Sequence, residues 1–286
     1  MYLKPQVYID PRPEEHFAKY HRRVRERGVD WVYPACRIIL TPPTWALFRT
    51  RAIGEENVPE HGPAILAPNH FSNFDHFFLA VFLRRQVQFM AKSQLFKGPL
   101  SFILSHGGAF PVLRGKHDEE AFVTAHTILK YGGVVGMYAE GGRSRKKELG
   151  KPKPGLGRLV LESGVPVIPV AIHGSEHVRD RRLPKVTIQY GQKLLFEHVP
   201  RPTKDQALEA SQAVFDRVRD MYGALREKGR RGVLRALREE QRRRKGAPQE
   251  TLRMGPLTTT AGGLQPGNGR AAQASPPDTE RSAATR

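Results

Sequence analysis

The chain of 286 residues has material for one large domain or two small ones. Its 47 lysines and arginines outweigh 28 acidic residues, giving a formal charge of +19, which favours polyanions: nucleic acid, an anionic bilayer surface or phosphorylated small molecules. The single cysteine, Cys36, excludes an internal disulfide and a thiolate metal cluster within one chain, and reads as buried packing.

Residues 1–27 are largely polar and lack the charged-then-apolar pattern of a secretory leader. Residues 13–28 read as a basic helix closed by Gly28, acidic at its start and arginine-rich at its end, as the helix dipole prefers. The apolar stretch 31–48 carries Arg37, Pro42 and Pro43. It is too short and too interrupted to span a bilayer, which takes about 20 apolar residues. With Trp31, Tyr33 and Trp45 it suits the membrane interface, or equally a lid on the core.

From Ala64 onward short apolar runs alternate with helical patterns. Strands are predicted at 64–68, 86–91, 109–113, 133–139, 165–172 and 185–190, with helices at 75–85, 98–105, 117–131 and 155–163. This alternation predicts an α/β domain, a mainly parallel sheet flanked by helices. Sites in such sheets form at the carboxyl ends of strands, which places His70, Arg114, Glu140 and His173 along one edge. Residues 203–228 make an amphipathic helix, with Leu208, Val214, Val218, Tyr222 and Leu225 recurring at threes and fours. Gly229 and Gly232 break it, and a second basic run ends at 242–245. Residues 246–286, rich in Gly, Pro, Ala, Ser and Thr, read as a disordered tail without secondary structure.

Four stretches carry chemistry. The first is Asn69-His70-Phe71-Ser72-Asn73-Phe74-Asp75. On one continuous helix His70 and Asp75 would diverge by about 140°. They meet only if His70 precedes the helix and Asp75 lies in its first turn, with Ser72 or Asn73 as cap. Asp75 then fixes the imidazole tautomer and leaves the other ring nitrogen to take a proton. His76, next to Asp75, reads as a helix surface residue.

The second stretch, 107–115, turns on glycines and ends with Arg114, whose fork suits a phosphate. The third, 138–147, runs from a strand end into Glu140, Gly141, Gly142 and Arg143, then a basic loop through Lys151 and Lys153. It lacks the Gly-Lys-Ser/Thr of a nucleotide-binding loop, but its freed amides and Arg143 suit a phosphate. The fourth, 164–174, reads as a buried strand with prolines where no ladder bond is needed.

In this order the four stretches resemble the phospholipid/glycerol acyltransferase family, which acylates lysophosphatidic acid. That family shows Asn-His-x-x-x-x-Asp, a Gly-x-x-Phe-x-x-Arg-like block, Phe-Pro-Glu-Gly-Thr-Arg-Ser and a Val-Pro-Val-x-Pro-Val strand. The resemblance covers roughly residues 50–200 and implies a glycerol-phosphate-acyltransferase-like single domain. His70 would be the general base and Asp75 its orienter. Arg114, Glu140, Gly141 and Arg143 would hold the acceptor's glycerol phosphate. The acyl donor would be acyl-CoA or acyl carrier protein, the acceptor a lysophospholipid, most simply 1-acylglycerol-3-phosphate giving phosphatidic acid, with no cofactor or metal required. Ala139 stands where the family has Pro, and Gly142 where it has Thr.

The expected organisation is an N-terminal basic helix and apolar interfacial segment (1–50), the acyltransferase domain (51–200), amphipathic basic helices (201–245) and the tail (246–286). The competing class is a basic nucleic-acid- or anionic-lipid-binding protein without catalysis. The cationic residues lack the interleaved aromatics of a base-stacking platform, so no nucleic acid is expected. An anionic membrane surface is, on the cytoplasmic side and peripherally. Either 31–48 or the 203–245 helices could meet it. No Gly-x-Ser-x-Gly elbow occurs, and His173–His177 lacks the His-Glu-x-x-His order of a zinc site.

Overall fold

The computed structural model describes residues 9–114, 118–144, 147–178, 180, 183–243, 251–255 and 257. Gly115, Arg145, Lys146, 244–245 and most of 246–286, all read from sequence above, lie outside the described residues.

The elements follow the chain as α1 (Glu15–Arg27), α2 (Val32–Phe48), β1 (Arg51–Ile53), β2 (Ala64–Pro68), α3 (Asp75–Val81), β3 (Val87–Lys92), α4 (Gly98–His106), β4 (Phe110–Val112), α5 (Glu119–Lys130), β5 (Val134–Gly136), α6 (Pro154–Ser163), β6 (Val167–His173), β7 (Thr187–Tyr190), β8 (Leu194–Leu195), α7 (Lys204–Arg243) and β9 (Leu252–Arg253). The sheet order is β1-β7-β6-β2-β5-β3-β4, with β8 on β6 and β9 on β8. Strands β6, β2, β5, β3 and β4 run parallel, while β7 is antiparallel to β6 and β1 is parallel to β7. The sheet is therefore mainly parallel, as the alternating pattern requires.

Every residue of β2 is buried, so the strand reads as an unbroken apolar run. Its pleat divides the core. Ile65 and Ala67 face α5, α6 and α7 with Leu156, Val214 and Phe215, whereas Ala64 and Leu66 face α2 and α3 with Phe48, Phe78 and Leu79. Helices α6 and α7 cross where only glycine fits: a Cβ on Gly157 would lie 1.9 Å from the Ala207 carbonyl oxygen. The Gly157 amide donates to the Ser211 hydroxyl, which donates to the Lys153 carbonyl.

The apolar stretch folds as a helix, Val32–Phe48, through both prolines; the Thr41 and Thr44 hydroxyls turn back onto the Arg37 and Thr41 carbonyls in the same stretch. Gly229, non-helical at φ 62°, divides α7 at a kink as expected, whereas Gly232 lies within the second part. One expectation needs correction. Residues 252–253, assigned to an unstructured tail, form β9 beside β8, and Leu252, Met254 and Leu257 pack on the main core. Among the described residues no helix is long and apolar enough to cross a membrane.

Candidate active site

His70 follows the end of β2 and Asp75 opens α3, the arrangement that helix geometry demanded. The Nδ1–H of His70 faces Asp75 Oδ2 at 2.9 Å. The same oxygen accepts the backbone N–H groups of Phe71 at 2.7 Å and Ser72 at 2.8 Å. This bonding assigns the tautomer, leaving Nε2 with its lone pair free. The cap differs from expectation. Phe74 occupies the N-cap position without a side-chain bond, and Ser72 contributes its hydroxyl to the Phe74 N–H.

Both partners are buried, His70 5% exposed and Asp75 not at all. Burial is the main influence on the imidazole and lowers its pKa; Asp75 raises it, and the charges of Arg114 and Arg143 lower it again. A base that stays neutral at physiological pH follows. The imidazole lies face to face with the Tyr138 ring, centroids 3.9 Å apart and planes 23° apart. His76 meets both rings edge-on and also touches Phe89. It belongs to this aromatic cluster and is no surface residue. Burial holds its pKa down at about 3.

The backbone of His70 is gripped from both sides by the 140–150 loop. Glu140 Oε1 accepts the His70 N–H at 2.9 Å, and the Ser144 N–H donates to the His70 carbonyl at 2.8 Å. The other Glu140 oxygen accepts the Gly150 N–H. Burial pushes Glu140 up to about 7, against the two amides that hold it down. Both its oxygens are thus engaged by the chain itself.

Arg114 follows β4, half-buried, and the neighbouring charge of Arg143 adds to burial in lowering its pKa. Two guanidiniums whose charges act on each other suit a multiply charged anion. Gly141, at φ +62°, brings the turn against Lys153, whose Cδ lies 3.0 Å from where a Cβ would stand. A cavity of about 800 Å³ opens beside Arg114, Tyr138, Gly141 and Lys153, and continues between Met90, Phe122, Met137 and Leu156 towards Arg201 and Lys204.

His173 ends β6 on the same edge as expected, where it faces the Glu176 carboxylate at 3.8 Å and the Tyr222 ring. His177 is held by Asp180 and Glu176. Among the described residues no group of three or more His, Cys, Asp or Glu is placed to hold a metal ion. Sequence reasoning gave no role to Asn69, Tyr138 or Lys153. Asn69 brackets β6, accepting the Ile172 N–H and donating to the Ile172 carbonyl. Its adjacency to His70 was the available signal.

Comparison with known proteins gives a consistent result. The Acyltransferase family model matches residues 49–173. Chloroplast 1-acyl-sn-glycerol-3-phosphate acyltransferases of Brassica napus and Arabidopsis thaliana are each 27% identical over 135 residues, 46% of this chain. The match spans 39% and 38% of those proteins, so the chain covers about two-fifths of their length. The Bacillus subtilis (strain 168) 1-acyl-sn-glycerol-3-phosphate acyltransferase is 25% identical over 181 residues, 61% of this chain and 89% of its own. The crystal structure of the 1-acyl-sn-glycerophosphate acyltransferase of Thermotoga maritima has the same fold: TM-score 0.50, 20% identity, covering 72% of this chain and 88% of that one.

Proposed function

Because the chain belongs to the acyltransferase family through residues 49–173, we propose that it moves a fatty acyl group from a thioester to the hydroxyl of a lysophospholipid, 1-acylglycerol-3-phosphate giving phosphatidic acid. The observation that carries this reading is the His70–Asp75 pair, its Nε2 unengaged, beside the guanidiniums of Arg114 and Arg143.

His70 Nε2 takes the acceptor's hydroxyl proton as the oxygen forms its bond to the thioester carbonyl carbon. Asp75 steadies the imidazolium that results. Collapse of the tetrahedral intermediate breaks the carbon–sulfur bond, and the imidazolium returns its proton to the departing thiolate. Arg114 and Arg143 hold the acceptor phosphate, joined by the glycine turn at Gly141. Glu140 serves this site by fixing the main chain of His70. The apolar reach of the cavity takes an acyl chain. The donor is acyl-CoA or acyl carrier protein.

The exposed apolar side chains of Trp31, just before α2, and of Ile38, Ile39 and Trp45 within it support a peripheral seat on a bilayer, where the acceptor resides. The test supplies purified protein with lysophosphatidate and an acyl thioester and follows thiol release. Turnover that disappears in His70→Ala supports the reading. Absence of turnover with every glycerolipid acceptor, or an unimpaired His70→Ala variant, overturns it.

A further inference from the structure

The second half of α7 carries a feature that acyl transfer leaves unused. Arg231, Arg235, Arg238 and Arg242 are all exposed. At about 100° per residue their spacing puts the four within roughly 60° of one another, a single stripe along the helix. With Leu234 and Glu239 they line a shallow groove.

Another side of this half-helix is anchored beside the site. Val233 and Leu237 pack in one cluster with Phe71 and Tyr222, and Leu234, at the edge of the groove, joins them; Phe71 is the residue after the candidate base. Gly229, with φ 62° and open space around it, supplies the kink at which this half begins. At the bend Arg230 donates to the carbonyls of Arg49 and Val186 and to the Thr187 hydroxyl. Its charge acts on that of Arg51, and Arg51 lies over the Trp45 ring, 5.4 Å from its centroid. Trp45 belongs to the exposed apolar side of α2. The arginine helix therefore starts where the apolar surface stops.

We propose that residues 230–243 form a strap for anionic lipid headgroups, in which Arg231, Arg235, Arg238 and Arg242 lie on bilayer phosphates while α2 sits in the interface. The proposal deepens the acyltransferase reading, from which it takes its membrane setting, and assigns a partner to a helix outside the catalytic site. Continuity with an apolar surface favours a bilayer over nucleic acid or an acidic protein, since either of those would need the charge alone. A row of cations beside an apolar wedge gives two-part membrane attachment: insertion through one element and electrostatic adhesion through the other.

The experiment measures co-sedimentation of the full chain with phosphatidylcholine vesicles and with vesicles containing phosphatidylglycerol. It compares the parent with a variant carrying Arg231→Gln, Arg235→Gln, Arg238→Gln and Arg242→Gln. A charge-matched variant with Arg22→Gln, Arg84→Gln, Lys130→Gln and Arg217→Gln serves as control. The stripe variant should lose binding to the anionic vesicles by a factor on the order of 10²–10³, with a shallower salt dependence. The control should keep most of its binding, and thiol release in neutral detergent micelles should be equal in all three. Equal losses in both variants would reduce the stripe to bulk charge and overturn the proposal. So would unchanged binding in the stripe variant, or tighter binding of the parent to single-stranded oligonucleotide than to anionic vesicles at the same salt. Sedimentation needs no turnover, so an inactive protein that still shows the stripe-dependent loss would sink the acyltransferase reading and leave the strap standing.

Discussion

The imidazole of His70 lies flat on the phenol ring of Tyr138, while the Tyr138 hydroxyl is buried and has no hydrogen-bond partner among the described residues. The ring face therefore matters more than the hydroxyl. In the proposed mechanism its electron-rich face would steady the imidazolium formed by proton transfer and keep the imidazole plane in line with Asp75.

Tyr138→Phe is expected to keep kcat within a small factor and to hold or raise Tm, because it removes a buried unpaired hydroxyl. Tyr138→Leu is expected to lower kcat about tenfold, the scale of one aromatic pair, and to move the acid limb of the pH profile downward. Steady-state rates across pH decide between them.

Asp75 does two tasks that substitution can separate. In Asp75→Asn the amide oxygen can stand in the place of Oδ2 and still accept the Phe71 and Ser72 N–H groups and the His70 Nδ1–H, but the negative charge that would steady the imidazolium is lost. A fall in kcat of about 10³–10⁴ with little loss of Tm is expected, on the scale seen when a triad aspartate is made neutral. Asp75→Ala should lose activity similarly and also about 1–3 kcal/mol of stability for each buried amide left unsatisfied. Denaturant titration distinguishes the pair.

The pH dependence follows from the sign of the His70 shift. As the proposed general base His70 would work unprotonated, and its pKa lies below the ordinary 6.5. Activity should therefore persist as pH falls through 6.5 and decline only at more acid values. Arg114 contributes to the lowering, so Arg114→Ala should move this acid limb upward. A limb that does not move would separate Arg114 from the base.

Arg114→Ala should also reduce kcat/KM for lysophosphatidate about 10–100-fold, the value of a charge-assisted hydrogen bond. A monoacylglycerol acceptor, which lacks the phosphate, should lose little. Equal losses with both acceptors would argue against a phosphate role.

Much of this architecture is written in local patterns. The strand at 64–68 is apolar throughout because it is buried on both faces, so its limits agree residue for residue with β2. The placement of His70 before the helix and Asp75 within it follows from the angular arithmetic of five residues. What stayed hidden depends on long-range contacts. The edge-on contact of His76 with Tyr138 joins α3 to the segment just past β5, and no spacing within either segment encodes it. The grip of Glu140 on the His70 amide spans 70 positions, so no local pattern shows it. The short strands β8 and β9 have two residues each, too few to show any periodicity.

The strand pair β8–β9 sets a limit on how the molecule can be shortened. After α7 the chain returns to lay Leu252 and Arg253 along β8 and to seat Leu252, Met254 and Leu257 on the central core. Trimming at residue 245, which composition alone recommends, would strip β8 of its neighbour and wet that apolar seam. A cut for expression or crystallisation therefore has to leave Leu257 in place.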